Sequence, residues 1–209
     1  MTMLQSAQRA DERAWLTRYF EQYRTSLFHT DVFDQLLALR DRLLDVRSRG
    51  KKAIIAGNGG SAAIASHCAV DLTKTAGIRC TNFNEDDLIT CLANDYGYDQ
   101  WLVKALEYYA DDGDLVILIS SSGKSPNMVN AAHAARGKRL VVVTFTGFDE
   151  HNPLKTAGQL NFWVKSRLYN VIEMTHHIWL LAVCDLIAGV LEPSPTHQRT
   201  PEPARMRIS

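Results

Sequence analysis

Ala53-Ile54-Ile55-Ala56-Gly57-Asn58-Gly59-Gly60-Ser61-Ala62-Ala63-Ile64-Ala65-Ser66-His67-Cys68-Ala69-Val70-Asp71 is the stretch on which the fold turns. A short apolar run breaks into a loop with three glycines, and the loop passes without a gap into an alanine-rich helical pattern. The spacing predicts strand, anion loop, then helix. Glycines permit positive φ and close approach of a ligand to the backbone. Free N–H groups at the helix start, with the Ser61 hydroxyl, suit a phosphate, and Asn58, Gly59 and Gly60 belong to the same loop. His67 and Asp71, four residues apart, project from one helix face about one turn beyond that site.

Outward from this stretch the chain alternates strands and helices. Ahead of it, Trp15, Leu16, Tyr19, Phe20, Tyr23, Leu27 and Phe28 recur at helical spacing over residues 11–29. A second helix fits from a cap at Thr30 or Asp31 through Val46, with Gly50 placed to stop it. Two such helices carry more apolar surface than one sheet face needs, which suggests an interface between copies of the chain. Behind it, Leu88-Ile89-Thr90-Cys91-Leu92 reads as a second central strand opening into Asn94 and Asp95, at the sheet end where ligands bind. A helix follows over about residues 98–110. Leu115-Val116-Ile117-Leu118-Ile119 is a third strand, apolar throughout as a strand covered on both faces should be.

That strand opens into Ser120-Ser121-Ser122-Gly123-Lys124-Ser125-Pro126. Ser125 suits an N-cap and Pro126 the first helical position. Ser120, Ser121, Ser122 and Ser125 then surround a helix N-terminus with partial positive charge, able to hold a phosphate without arginine. A helix to about Arg136, a strand over residues 140–145, a weaker strand over 160–164 and an apolar helix over 169–190 complete the pattern. Residues 1–50 read as N-terminal helices of the same domain, 51–191 as the α/β unit, and 192–209, rich in proline, as a disordered tail.

The bulk numbers exclude several classes. Length 209 and 46% hydrophobic content suit one α/β domain. With 23 basic and 23 acidic residues the formal charge is zero, so nothing in bulk favours nucleic acid or an anionic membrane. No apolar run is read as transmembrane and no signal peptide is evident, so a soluble cytoplasmic protein is expected. Cys68, Cys80, Cys91 and Cys184 lack CxxC spacing and are expected to be reduced thiols, buried apart from Cys80.

Within the apolar last helix lie Glu173, His176 and His177, and polar groups there need partners. Glu173 and His177 repeat the four-residue spacing of His67 and Asp71. Should the two helices meet, the four side chains suit a divalent metal such as zinc, a proton shuttle between neighbouring carbons, or a core hydrogen-bond network. His29, His133, His151 and His197 lack acidic partners at helical spacing and are expected to face solvent or to be incidental.

Together these segments resemble the SIS (sugar isomerase) domain family, most closely its phosphoheptose isomerase branch. The resemblance spans about residues 10–190, carried by AGNGGSAA, the His67 and Asp71 helix, LANDYGYD, ISSSGKSPN and NVIEMTHHIWLLAVCDLI. It implies a three-layer α/β fold with a five-stranded parallel sheet and two extra N-terminal helices, in a homotetramer with sites between subunits. It implies isomerisation of sedoheptulose 7-phosphate or a related C7–C8 ketose phosphate. Ser61, Ser120, Ser121, Ser122 and Ser125 would bind the phosphate; Asn58, Gly59, Asp95 and Asn170 would contact sugar hydroxyls. The branch typically has His-x-x-x-Glu on the first helix, and Gln on the last helix with His eight residues later. Here those positions hold Asp71, Glu173 and Leu181. A rearranged centre of His67, Asp71, Glu173 and His177 is therefore expected, with Glu173 or Asp71 as base and His177 as acid. The alternative is a non-catalytic relative that binds a sugar phosphate or a replication initiator, a reading that Leu181 fits.

Overall fold

The computed structural model describes residues 3–28 and 32–189. In chain order the elements are α1 Met3–Leu27, α2 Val32–Ser48, β1 Ala53–Gly57, α3 Gly60–Lys74, β2 Cys80–Thr81, α4 Asp86–Tyr96, α5 Trp101–Tyr109, β3 Leu115–Ser120, α6 Pro126–Gly137, β4 Val141–Thr146, α7 Pro153–Ala157, β5 Leu160–Trp163 and α8 Tyr169–Ala188. The strands form one parallel sheet in the order β2-β1-β3-β4-β5. Every residue of β1 and β3 is buried, because helices cover both faces of a parallel sheet. Side-chain alternation divides them between two cores. Ala53 and Ile55 join Leu39, Leu43, Ile64, Cys68, Leu72 and Leu180 under α2, α3 and α8. Ile54 and Ala56 join Trp101, Leu102, Leu106, Met128 and Ala131 under α5 and α6. The three-layer α/β architecture expected from the sequence is the one observed.

This strand order fixes where a ligand fits. From β1 the chain crosses one face through α3 to reach β2, and from β3 it crosses the other face through α6 to reach β4. Right-handed crossovers in opposite directions part the two loops and open a crevice at the carboxyl ends of the strands. Gly57 lies in register with Ile119, so residues 58–60 flank residues 120–125.

One expected strand is a helix. Leu88-Ile89-Thr90-Cys91-Leu92 lies inside α4, and the second strand is the two-residue edge strand β2. Leu88, Ile89, Leu92 and Ala93 form a helical stripe on the α5 and α6 side, while Thr90 and Cys91 point outward. Asp86 and Asp87 in the first turn favour the helix through its dipole, and the Thr90 hydroxyl donates back to the Asp86 carbonyl at 2.6 Å. Cys91 is accordingly exposed, not buried, whereas Cys68 and Cys184 are buried free thiols as expected.

The expected caps Thr30 or Asp31, the helix end at Val190, His29, His197 and the tail from Glu192 lie outside the described residues. His133 and His151 are exposed. By length and composition α8 is long and apolar enough to cross a membrane, contrary to the sequence reading. Here it is the helix that packs against α1, α2 and α3.

Candidate active site

The two loops and the first turns of α8 enclose a cavity of about 140 Å³ lined by Asn58, Ser61, Ile119, Ser120, Ser121, Ser122, Ser125, Tyr169 and Glu173. Four of its serines come from a tight turn, and Ser61 comes from the start of α3. Gly123 adopts φ +64, its N–H donates to the Ser120 carbonyl at 2.9 Å, and the Lys124 N–H donates to the Ser122 hydroxyl at 3.2 Å. Ser125 holds the N-cap position of α6, with Pro126 next, as its sequence predicts. Its hydroxyl makes no cap hydrogen bond and pairs with the Ser120 hydroxyl at 3.1 Å. The Ser121 hydroxyl is buried and makes no hydrogen bond. Such a group left unpaired costs about 1–3 kcal/mol, which an anion accepting its hydrogen bond would recover. Hydroxyls, an open helix N-terminus and no buried cation suit a phosphate monoester held by hydrogen bonds.

The turn is held from behind by Asn152, a fully buried residue whose part the sequence reading missed. Its amide donates to the Thr146 hydroxyl at 3.1 Å and the Asp149 carbonyl at 2.8 Å, and its oxygen caps α7 by accepting from the Lys155 N–H at 2.8 Å. Asn127 was missed as an individual residue too. Asn58 and Asn127 exchange amide hydrogen bonds of 3.0 and 2.9 Å across the crevice, and the Tyr98 hydroxyl donates to Asn58 at 3.2 Å. A helix signature followed by a buried asparagine, as in Pro126-Asn127, is the sequence cue for this pair.

Helices α3 and α8 do meet. His177 Nε2 lies 2.9 Å from His67 Nδ1, and His67 Nε2 lies 3.3 Å from the Asp71 carboxylate. With Asp71 accepting from Nε2, His67 presents Nδ1 as acceptor and His177 Nε2–H as donor. Burial first, then the neighbouring imidazole, pushes the His177 pKa below its usual value, while Asp71 opposes the shift. Glu173 does not join this row. Its carboxylate lies over Gly60, where an added Cβ would stand 2.4 Å from Oε2, and it faces the cavity beside Ser121. Burial raises its pKa, and the nearby Ser121 hydroxyl, though outside regular hydrogen-bond geometry, opposes that shift. Its position one helical turn before His177 sets the two groups side by side along α8.

The third polar residue of α8 has a different part. His176 is fully buried, edge-on to Phe145, with Nε2 at 3.0 Å from the Thr146 carbonyl and Nδ1 unpartnered. Burial lowers its pKa to about 4. It is a neutral core group that ties α8 to the end of β4.

Other expected contacts lie away from the cavity walls. Asn94 and Asp95, at the end of α4, are exposed and paired with each other at 3.0 Å; Gly59, Gly60 and Asn170 are exposed as well. The expected divalent metal finds no ready ligand set. Among the described residues no three His, Cys, Asp or Glu side chains converge to hold an ion. His67 and His177 present two nitrogens to each other, Asp71 occupies the far nitrogen of His67, and Glu173 faces Gly60.

A family model described as the SIS domain matches residues 18–147, which include both loops and α3 and end before α8. A phosphoheptose isomerase of Aliarcobacter butzleri is 34% identical over 156 residues, covering 71% of this chain and 81% of that protein. One from Colwellia psychrerythraea is 33% identical over 152 residues, covering 69% and 78% respectively. The solved phosphoheptose isomerase of Neisseria gonorrhoeae superposes with a TM-score of 0.72 at 26% identity, over 87% of this chain and 98% of that one.

Proposed function

The chain belongs to the SIS domain family, and on that premise we propose that it is a sugar-phosphate isomerase, interconverting sedoheptulose 7-phosphate, or a related C7–C8 ketose phosphate, with the corresponding aldose. The observation that carries this reading is one cavity holding both an open, serine-lined anion site and the Glu173 carboxylate. The phosphate sits among Ser61, Ser120, Ser121, Ser122 and Ser125. Its binding energy fixes the far end of the sugar and orients the reacting carbons.

Aldose–ketose interconversion moves a proton between C1 and C2 through an enediolate. Glu173, the carboxylate in the cavity, takes the proton from one carbon and returns it to the other. Asp71 acts differently: it holds His67 so that Nδ1 faces His177. The imidazole pair then passes a proton between the two substrate oxygens and stabilises charge on the enediolate. Because the donor set does not converge, no step is assigned to a metal.

Incubation with sedoheptulose 7-phosphate and a panel of C6–C8 ketose phosphates in deuterated water tests this reading. Deuterium at C2 of the aldose supports it. Binding without exchange for every substrate supports the second reading, a non-catalytic sugar-phosphate or replication-initiator binder, to which Leu181, packed against the core, is suited. We further infer a cytoplasmic homotetramer; its assembly is supported by Trp15, Leu16, Phe20, Met174 and Ile178, exposed apolar residues on a single chain. A light-scattering mass of one chain would count against the assembly.

A further inference from the structure

The three glycines of the first loop answer three different demands. Gly59 adopts φ +55 and an added Cβ would meet nothing within 4 Å, so its backbone alone requires glycine. At Gly57 an added Cβ would strike Ser61 Cβ at 2.6 Å and the Ser61 carbonyl at 2.7 Å, so glycine lets α3 start close against β1. Gly60 has neither reason. Its φ is not positive, it is the first residue of α3, and the three atoms nearest to an added Cβ all belong to one flexible side chain. What that Cβ would meet is Glu173: Oε2 at 2.4 Å, Cδ at 2.9 Å and Oε1 at 3.1 Å.

We propose that Gly60 is a positioning residue, whose missing side chain leaves the slot that seats the Glu173 carboxylate against the first turn of α3 and aims it into the serine cavity. This rests on the reading of Glu173 as the base. The carboxylate is the end of a flexible side chain, so a methyl group at position 60 displaces it without disturbing the fold. Glycine is also the weaker helix former, so alanine at this ordinary φ does not destabilise α3. The displacement is about 1 Å if normal van der Waals contact is restored, and misplacement on that scale costs a catalytic group roughly 100-fold in rate.

The test is Gly60→Ala on the full chain, with Glu173→Asp, Glu173→Gln and the double variant Gly60→Ala/Glu173→Asp alongside. Gly60→Ala is expected to keep or raise the melting temperature, leave KM within about threefold and lower kcat roughly 100-fold. Glu173→Asp withdraws the carboxylate by one methylene and is also impaired. In the double variant the shorter side chain clears the methyl group, so kcat falls by much less than the product of the two single losses. Wild-type kcat in Gly60→Ala, or strictly multiplicative losses in the double variant, overturns the slot. A fully active Glu173→Gln instead overturns the base reading. A measurement free of turnover covers that case: ¹³C NMR titration of the Glu173 carboxyl. Its midpoint, raised in the wild type, falls toward that of an ordinary carboxylate in Gly60→Ala as the group moves to solvent; an unchanged midpoint also overturns the slot.

Discussion

Gly123→Ala tests how the serine loop is built. The residue has φ +64, and a Cβ there would lie 2.0 Å from Asn152 Oδ1, 2.2 Å from its Cγ and 2.7 Å from its Cβ. A non-glycine residue in the left-handed region costs about 1–2 kcal/mol. Unlike Glu173, Asn152 cannot step aside cheaply: it is fully buried and held by the Thr146 hydroxyl, the Asp149 carbonyl and the Lys155 N–H. Displacing it loses a helix cap worth about 1 kcal/mol and strains two further hydrogen bonds of similar worth. Gly123→Ala should therefore lose roughly 3–5 kcal/mol in urea denaturation. Isothermal titration of inorganic phosphate should weaken in parallel, because the turn carries Ser120, Ser122 and Ser125. Adding Asn152→Ala removes the two closest contacts and leaves the backbone strain and the Cβ contact at 2.7 Å, so the two changes should couple by at least about 1 kcal/mol. A loss below about 1 kcal/mol for Gly123→Ala, or simple additivity, would refute the clamp.

Three other outcomes follow from the same geometry. His176 is neutral in the fold with its pKa lowered to about 4 from 6.5, so the unfolded chain binds the extra proton first. The contribution is whole above pH 6.5 and is lost as pH falls toward 4, on the order of 3 kcal/mol. His176→Phe should flatten that part of an acid denaturation series, and the Thr146 carbonyl keeps its bond from the Val164 N–H at 2.9 Å. Ser121→Ala removes a buried hydroxyl with no partner, so melting should not fall while phosphate affinity drops roughly tenfold or more. His177→Ala should lower kcat by about 100-fold or more with little change in KM, whereas unchanged kcat would remove the imidazole pair from the chemistry.

The parts of the fold that could be read directly were those where one physical demand dominates. Apolar runs at residues 53–56 and 115–119, each breaking directly into a glycine or serine loop, read as strands covered on both faces, and Ser125-Pro126 as a helix start. Leu88-Ile89-Thr90-Cys91-Leu92 misled because five apolar-rich residues are too few to separate a period of 2 from one of 3.6. The acidic pair Asp86 and Asp87 just before it was the helix signal. At the site, spacing paired His67 with Asp71 on one helix and Glu173 with His177 on another but left open whether the helices meet; in the fold His67 lies 2.9 Å from His177. Spacing could not tell that Glu173, four residues before His177, would turn aside to Gly60. That choice depends on the absence of a Cβ on another element. Asn152 escaped notice for a similar reason: its hydrogen-bond partners Thr146, Asp149 and Lys155 are near in sequence, but the Gly123 turn that it backs belongs to another loop.

The central claim is that one cavity joins phosphate binding by the serine loop to proton transfer by Glu173. It is tested most directly by following solvent deuterium exchange into sedoheptulose 7-phosphate with Glu173→Gln, alongside titration of inorganic phosphate. An isosteric amide keeps the cavity shape but cannot accept the proton, so exchange should fall by about 10²–10⁴-fold while phosphate affinity holds or rises. Exchange at the wild-type rate in Glu173→Gln would contradict the account.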